Sequence, residues 1–134
     1  RYTIHNGPVR PVLEIHRCWH YPYPLNIEAM RQAAARLLGT HDFKSFASAG
    51  DQRLSSVRTI TLCRLESSPP WITVDMAADG FLYNMVRNIV GTLVEIGRGR
   101  WQPEYIDTIL QAKDRTAAGP MAPPGGLCLM EIFY

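Results

Sequence analysis

Residues 81–100, F-L-Y-N-M-V-R-N-I-V-G-T-L-V-E-I-G-R-G-R, constrain the fold more tightly than any other stretch of this chain. Leu82, Met85, Val86, Ile89, Val90, Leu93 and Val94 recur at the spacing of one helical face, which predicts an amphipathic helix with that face in the core. Arg87 lies off the apolar stripe, with Asn84, Asn88 and Gly91 as its neighbours at helical spacing. A glycine inside a helix costs roughly 1 kcal/mol relative to alanine. Gly91 therefore implies a close approach, by a second backbone or by a ligand held near Arg87. An arginine on a core helix is ordinarily a solvated surface charge. The flanking asparagines and glycine make this one a candidate functional group.

Shorter signals place the remaining elements. Residues 2–5 and 12–19 read as strands joined through Asn6-Gly7-Pro8, since Asn-Gly favours a tight hairpin turn and residues 12–17 alternate. Tyr21-Pro22-Tyr23-Pro24 breaks that sheet. Residues 27–38 carry Ile27, Met30, Ala34, Leu37 and Leu38 at helical spacing, with Asn26 as N-cap, Glu28 in the first turn and Gly39 as the stop. Residues 41–53 read as a loop with a short helical turn, and 57–66 with 71–77 as an antiparallel pair around Ser67-Ser68-Pro69-Pro70. Pro103 sits near the first position of a further helix whose Tyr105, Ile106, Ile109 and Leu110 share a face. The glycine- and proline-rich loop 119–126 leads into a last strand, 127–133. Strand, helix, strand, strand, helix, strand, with one extra helix, is the order of an α+β, ferredoxin-like split βαβ domain: a mainly antiparallel sheet with its helices on one face.

A length of 134 residues is that of a single domain able to bury a sizeable core. No apolar run approaches the roughly 18 residues of a membrane span, and no signal segment opens the chain. The expectation is a cytoplasmic protein with no membrane partner. Cys18, Cys63 and Cys128 are widely spaced, without a Cys-x-x-Cys or a paired histidine motif, so neither a disulfide framework nor a metal site is indicated. His5, His16 and His20 lack ligand spacing and read as structural. A net charge of +2 does not by itself mark a nucleic-acid binder, so any RNA surface must come from clustering. Two clusters qualify: Arg98, Arg100, Lys113 and Arg115 near helix ends, and His41, Lys44, Arg53 and Arg58 around the polar loop. Cations at helix C-termini serve equally well as dipole partners, worth about 0.3–1 kcal/mol.

The Met-Val-Arg-Asn-Ile-Val-Gly core of the Arg87 helix, with Phe81 before it, resembles the signature of the bacterial tRNA pseudouridine synthase A family. The resemblance extends over essentially the whole chain. Arg1-Tyr2-Thr3-Ile4 resembles the end of the family's Arg-x-Tyr-x-Tyr strand, and residues 39–46 its Gly-x-His-Asp-Phe-x-Ser-Phe segment. Ala112-Lys113-Asp114-Arg115, Ala122-Pro123 and Gly126-Leu127-Cys128-Leu129 match its closing motifs in order and spacing. The family's nucleophilic aspartate lies in an Arg-Thr-Asp-Ala-Gly segment of an amino-terminal half, and no such segment occurs in these residues. The expectation is a carboxy-terminal half.

The resemblance implies a cofactor-free isomerase that detaches uracil from its ribose in the anticodon stem-loop of tRNA, rotates it and rejoins it through carbon. It implies a homodimer, and a partner domain supplying the nucleophile. Arg87 stands where the family pairs an arginine with that carboxylate. Arginine suits the role because its fork binds a carboxylate bidentately and keeps its proton. Tyr2 is either the tyrosine that stacks on the base or a packing neighbour. Leu127 and Leu129 resemble the apolar floor beneath the base, and Phe81 and Asn84 join them as pocket residues. A non-enzymatic RRM-like RNA-binding module, or a dimerisation domain, is the alternative; the RRM aromatic signature is absent.

Overall fold

A computed structural model describes residues 1–11, 17–48 and 55–128. Five strands form one sheet: β1 (Tyr2–His5), β2 (Trp19–His20), β3 (Gly39–Asp42), β4 (Val57–Ser68) and β5 (Trp71–Ala78), in the order β2-β1-β5-β4-β3. Only β1 and β2 run parallel. β5 pairs antiparallel with both β1 and β4, and β3 pairs antiparallel with β4. The helices are α1 (Ile27–Ala35), α2 (Met85–Gly97) and α3 (Tyr105–Ala112), with short 3-10 turns at Lys44–Phe46, Arg115–Ala117 and Pro124–Gly126. This is the α+β, ferredoxin-like arrangement that the order of elements predicts.

Register decides which side chains enter the core. Tyr2 and Leu65 both lie opposite Val74, and Ile4 opposite Ile72, so these five share a face. All are buried beneath Met30, Ala33 and Leu37 from α1 or its C-terminal turn, and Met85, Ile89, Leu93 and Ile96 from α2. The opposite face alternates in polar residues: Thr3 faces Thr73, which faces Glu66, and Arg64 faces Asp75. The Asp75 carboxyl lies below the usual carboxylate range because Arg1 donates to it, with burial opposing the shift.

Several expectations need adjustment. Asn6-Gly7 does not close a hairpin: β1 meets residues 19–20 in parallel, and neither Asn6 nor Gly7 has the positive φ that the tight turn needs. Asn6 instead donates from its side chain to the carbonyls of Tyr21 and Tyr23, each at 2.8 Å. Of the expected strand 12–19, residues 12–16 lie outside the described residues. The first helix ends at Ala35 rather than Leu38, and Gly39, at φ 97°, turns the chain into β3, an edge strand whose last two residues, His41 and Asp42, fall in the segment expected as loop. Asn26 caps α1 as expected, accepting from the Ala29 amide at 3.1 Å. Leu127, the first residue of the expected final strand, makes an isolated antiparallel bridge to Tyr2; residues 129–134 of that strand lie outside the described ones. Among the described residues no helix is long and apolar enough to cross a membrane.

Candidate functional site

Arg87 lies in the first turn of α2, and three features of the local backbone put its guanidinium at the surface of the domain. Asn84 precedes the helix in the left-handed region, φ 57° and ψ 17°, a conformation that asparagine tolerates better than most residues. Its side chain does not cap the helix. It donates to the Ser48 hydroxyl at 3.2 Å, while its oxygen accepts from Nη1 of Arg87 at 3.4 Å. The second feature is residues 119–123, which run along α2 toward its N-terminal end. The Gly119 amide donates to Thr92 Oγ1, the Ala122 amide to the Arg87 carbonyl, and Nε of Arg87 donates back to the Ala122 carbonyl at 2.9 Å.

Gly91 is the third feature. A methyl group there would overlap the Pro120 carbonyl oxygen, so the close approach implied by the sequence is made by this chain's own backbone, not by a ligand or by another domain. The same segment then passes Tyr2, whose hydroxyl donates to the Pro123 carbonyl at 2.6 Å.

A cleft of 360 Å³ opens beside the guanidinium, lined by Phe81, Leu82, Asn84, Met85, Val86, Arg87 and Leu127. Four residues separated by up to 46 positions in sequence (Phe81, Asn84, Arg87, Leu127) thus line one cleft. Leu127 is 43% exposed, free to serve as an apolar floor. Arg87 has only neutral acceptors, one carbonyl and one amide oxygen, and no carboxylate partner among the described residues. A half-buried cation fixed by neutral groups keeps its charge for an incoming anion.

Other candidates fall elsewhere. Tyr2 is fully buried; its ring meets Trp19 edge-on at 6.4 Å, and a methyl on Gly126 would come within 2.6 Å of it. No ring face is open to a base, so Tyr2 packs beneath the site instead of stacking in it. Burial raises its phenol pKa above the ordinary value, against the pull of the nearby Arg87 charge, and keeps the hydroxyl a donor. Arg115 turns inward, donating to the Gly119 carbonyl and to Asn88 Oδ1, and burial lowers its pKa. These bonds tie the 115–119 segment to α2. Arg98 and Arg100 share the nearly buried Glu95, each at 3.4 Å, and Arg100 lies over the Trp101 ring at 4.3 Å. Lys113 ends α3 in the left-handed conformation, and Lys44 stands near Asp114. His41 bonds the Leu38 carbonyl, while Arg58 lies next to Phe81. Arg53 and Leu129 are outside the described residues. Ser48 and the Ala122 carbonyl escaped the sequence reading: a lone serine and a backbone oxygen carry no pattern.

The fold and cleft define an α+β domain that presents a fixed arginine at the edge of an apolar pocket. The profile of a family described as tRNA pseudouridine synthase matches residues 33–134, and this chain belongs to that family. It is 47% identical over its full length to tRNA pseudouridine synthase A of Gluconobacter oxydans, of which it covers 49%. It is 48% identical to the protein of that name from Moorella thermoacetica and 42% to that from Acinetobacter baumannii, covering 54% and 51% of them. The chain therefore spans about half the length of these relatives.

Proposed function

We propose that this chain is the carboxy-terminal half of a tRNA pseudouridine synthase, an isomerase that converts uridine to pseudouridine in the anticodon stem-loop. In this reading Arg87 pairs with a nucleophilic aspartate from the amino-terminal half, Leu127 and Phe81 enclose the uracil, and Asn84 holds the guanidinium in register. A carboxylate in such a cleft loses its charge to burial unless a cation opposes that cost. The observation that carries the reading is the guanidinium of Arg87, fixed by neutral acceptors on the wall of an apolar cleft and without a carboxylate partner among the described residues. The enzyme acts as a cytoplasmic homodimer that grips tRNA with both subunits, as the family resemblance implies. An RRM-like alternative is disfavoured by the polar middle of the outward sheet face, where Thr3, Thr73, Glu66 and Arg64 offer no ring for a base to stack on.

The test is pseudouridine formation in unmodified tRNA by the full-length protein and by the 134-residue chain. The full-length protein converts anticodon stem-loop uridines, and the 134-residue chain, which lacks the Arg-Thr-Asp-Ala-Gly segment, converts none. Turnover by the 134-residue chain refutes the assignment of the nucleophile to the other half, and a full-length protein inactive on tRNA refutes the enzyme reading.

A further inference from the structure

A second cavity, of 430 Å³, is lined by Val57, Arg58, Asp79, Gly80 and Phe81 among the described residues. Phe81 also lines the Arg87 cleft, so the two spaces share a lining residue. Arg58 is held before any ligand arrives. Its Nη1 donates to the carbonyls of Ser55 at 2.9 Å and Val57 at 2.7 Å, while Nε and Nη2 have no acceptor among the described residues. Asp79 is fixed with equal economy: its amide donates to the Thr59 carbonyl, and one carboxylate oxygen accepts from the Thr59 amide at 2.9 Å. The other oxygen is uncommitted among the described residues, and the residue is exposed. Gly80 lies against the arginine, since a methyl there would come within 3.3 Å of Arg58 Nε. The bare glycine leaves that donor edge uncovered.

The wall thus offers one fixed cation and one fixed carboxylate side by side, which suits neither a bare anion nor a bare cation. A ribonucleotide backbone presents both complements: a phosphate that accepts from a guanidinium, and a 2′-hydroxyl that donates to a carboxylate. We propose that this cavity holds the ribose-phosphate of the nucleotide flanking the target uridine, with Arg58 on the phosphate and Asp79 on the 2′-hydroxyl. The site rests on the reading of the Arg87 cleft as the uridine pocket. Its consequence is that the nucleotide next to the target is recognised as RNA by its backbone, independently of its base.

The experiment uses the full-length enzyme and an anticodon stem-loop RNA, wild type or carrying a single 2′-deoxy substitution at either neighbour of the target. Arg58→Gln raises KM about tenfold with kcat retained, and lowers the salt slope of RNA binding by about one, the signature of one lost phosphate contact. Asp79→Asn keeps the oxygen that Thr59 needs; it weakens binding of the all-ribose substrate and abolishes the sensitivity to the 2′-deoxy substitution. An unchanged KM and salt slope in Arg58→Gln, or a 2′-deoxy penalty as large in Asp79→Asn as in wild type, overturns the proposal. Direct RNA-binding titrations separate the two readings. A protein that binds RNA through Arg58 yet forms no pseudouridine refutes the uridine pocket and leaves Arg58 and Asp79 as a ribose-phosphate site only, whereas one that forms pseudouridine with Arg58 indifferent refutes this subsite alone. Thermal melts of both variants establish that they fold.

Discussion

At the amino-terminal end of α2, Arg87 is fixed by a carbonyl and an amide oxygen and meets no carboxylate among the described residues. At the carboxy-terminal end, about 16 Å away at 1.5 Å per residue, Arg98 and Arg100 close on Glu95, which is nearly buried. One helix therefore disposes of its charge in two ways. Where a carboxylate of the same chain answers the arginine, the pair is self-contained, and with the guanidinium half in solvent such a pair contributes about 0–1 kcal/mol. Where only neutral acceptors hold the arginine, orientation is set and the charge stays available. That contrast, more than the count of basic residues, is what the proposed function rests on in choosing Arg87 as the site residue.

The comparison breaks first at Arg87. Arg87→Met in the full-length enzyme is expected to lower the single-turnover rate on tRNA by more than about a hundredfold, because an unopposed buried aspartate takes up a proton. Arg87→Lys keeps the charge but not the two-pronged geometry, and loses most of the activity as well. The next effect is on stability. Gly91→Ala drives a methyl into the Pro120 carbonyl, so the 119–123 segment must move; the expected cost is about 1–3 kcal/mol in a denaturant melt, overpacking against backbone being hard to relieve. The rate falls with it, since Arg87 loses the Ala122 carbonyl. The smallest effects belong to the other end of α2. Arg98→Met changes stability by less than roughly 0.5 kcal/mol and leaves turnover intact. A large loss of rate in Arg98→Met would erase the distinction between the two ends.

Much of this arrangement was legible in the residues. The periodicity of α2, the Asn26 cap and the β4–β5 pair follow from local chemistry, and Gly91 announced a close approach by a backbone or a ligand; the helix stop expected at Gly39 comes at Ala35 instead. The misread parts depend on distant partners. Asn6-Gly7 carries strong hairpin chemistry, yet Asn6 is recruited by the Tyr21 and Tyr23 carbonyls and its amide by Pro70. β3 is four residues of Gly-Thr-His-Asp with no apolar alternation, and forms because β4 offers it an edge. In the site, the motif located Arg87, but whether an arginine faces outward depends on its acceptors. Arg115 and Arg58 look alike in sequence; Asn88 and Gly119 draw the first inward, while Ser55 and Val57 carbonyls leave the second facing a cavity.

The availability of the Arg87 charge is tested most directly by the pH dependence of single-turnover pseudouridine formation in the full-length enzyme, comparing wild type with Arg87→Met and Arg98→Met. A cation beside the nucleophile lowers its pKa, and removing that cation raises it. The acidic limb of the profile therefore moves to higher pH in Arg87→Met and stays in place in Arg98→Met. Superimposable acidic limbs in all three proteins would show that Arg87 does not face the reacting carboxylate, and would contradict the account.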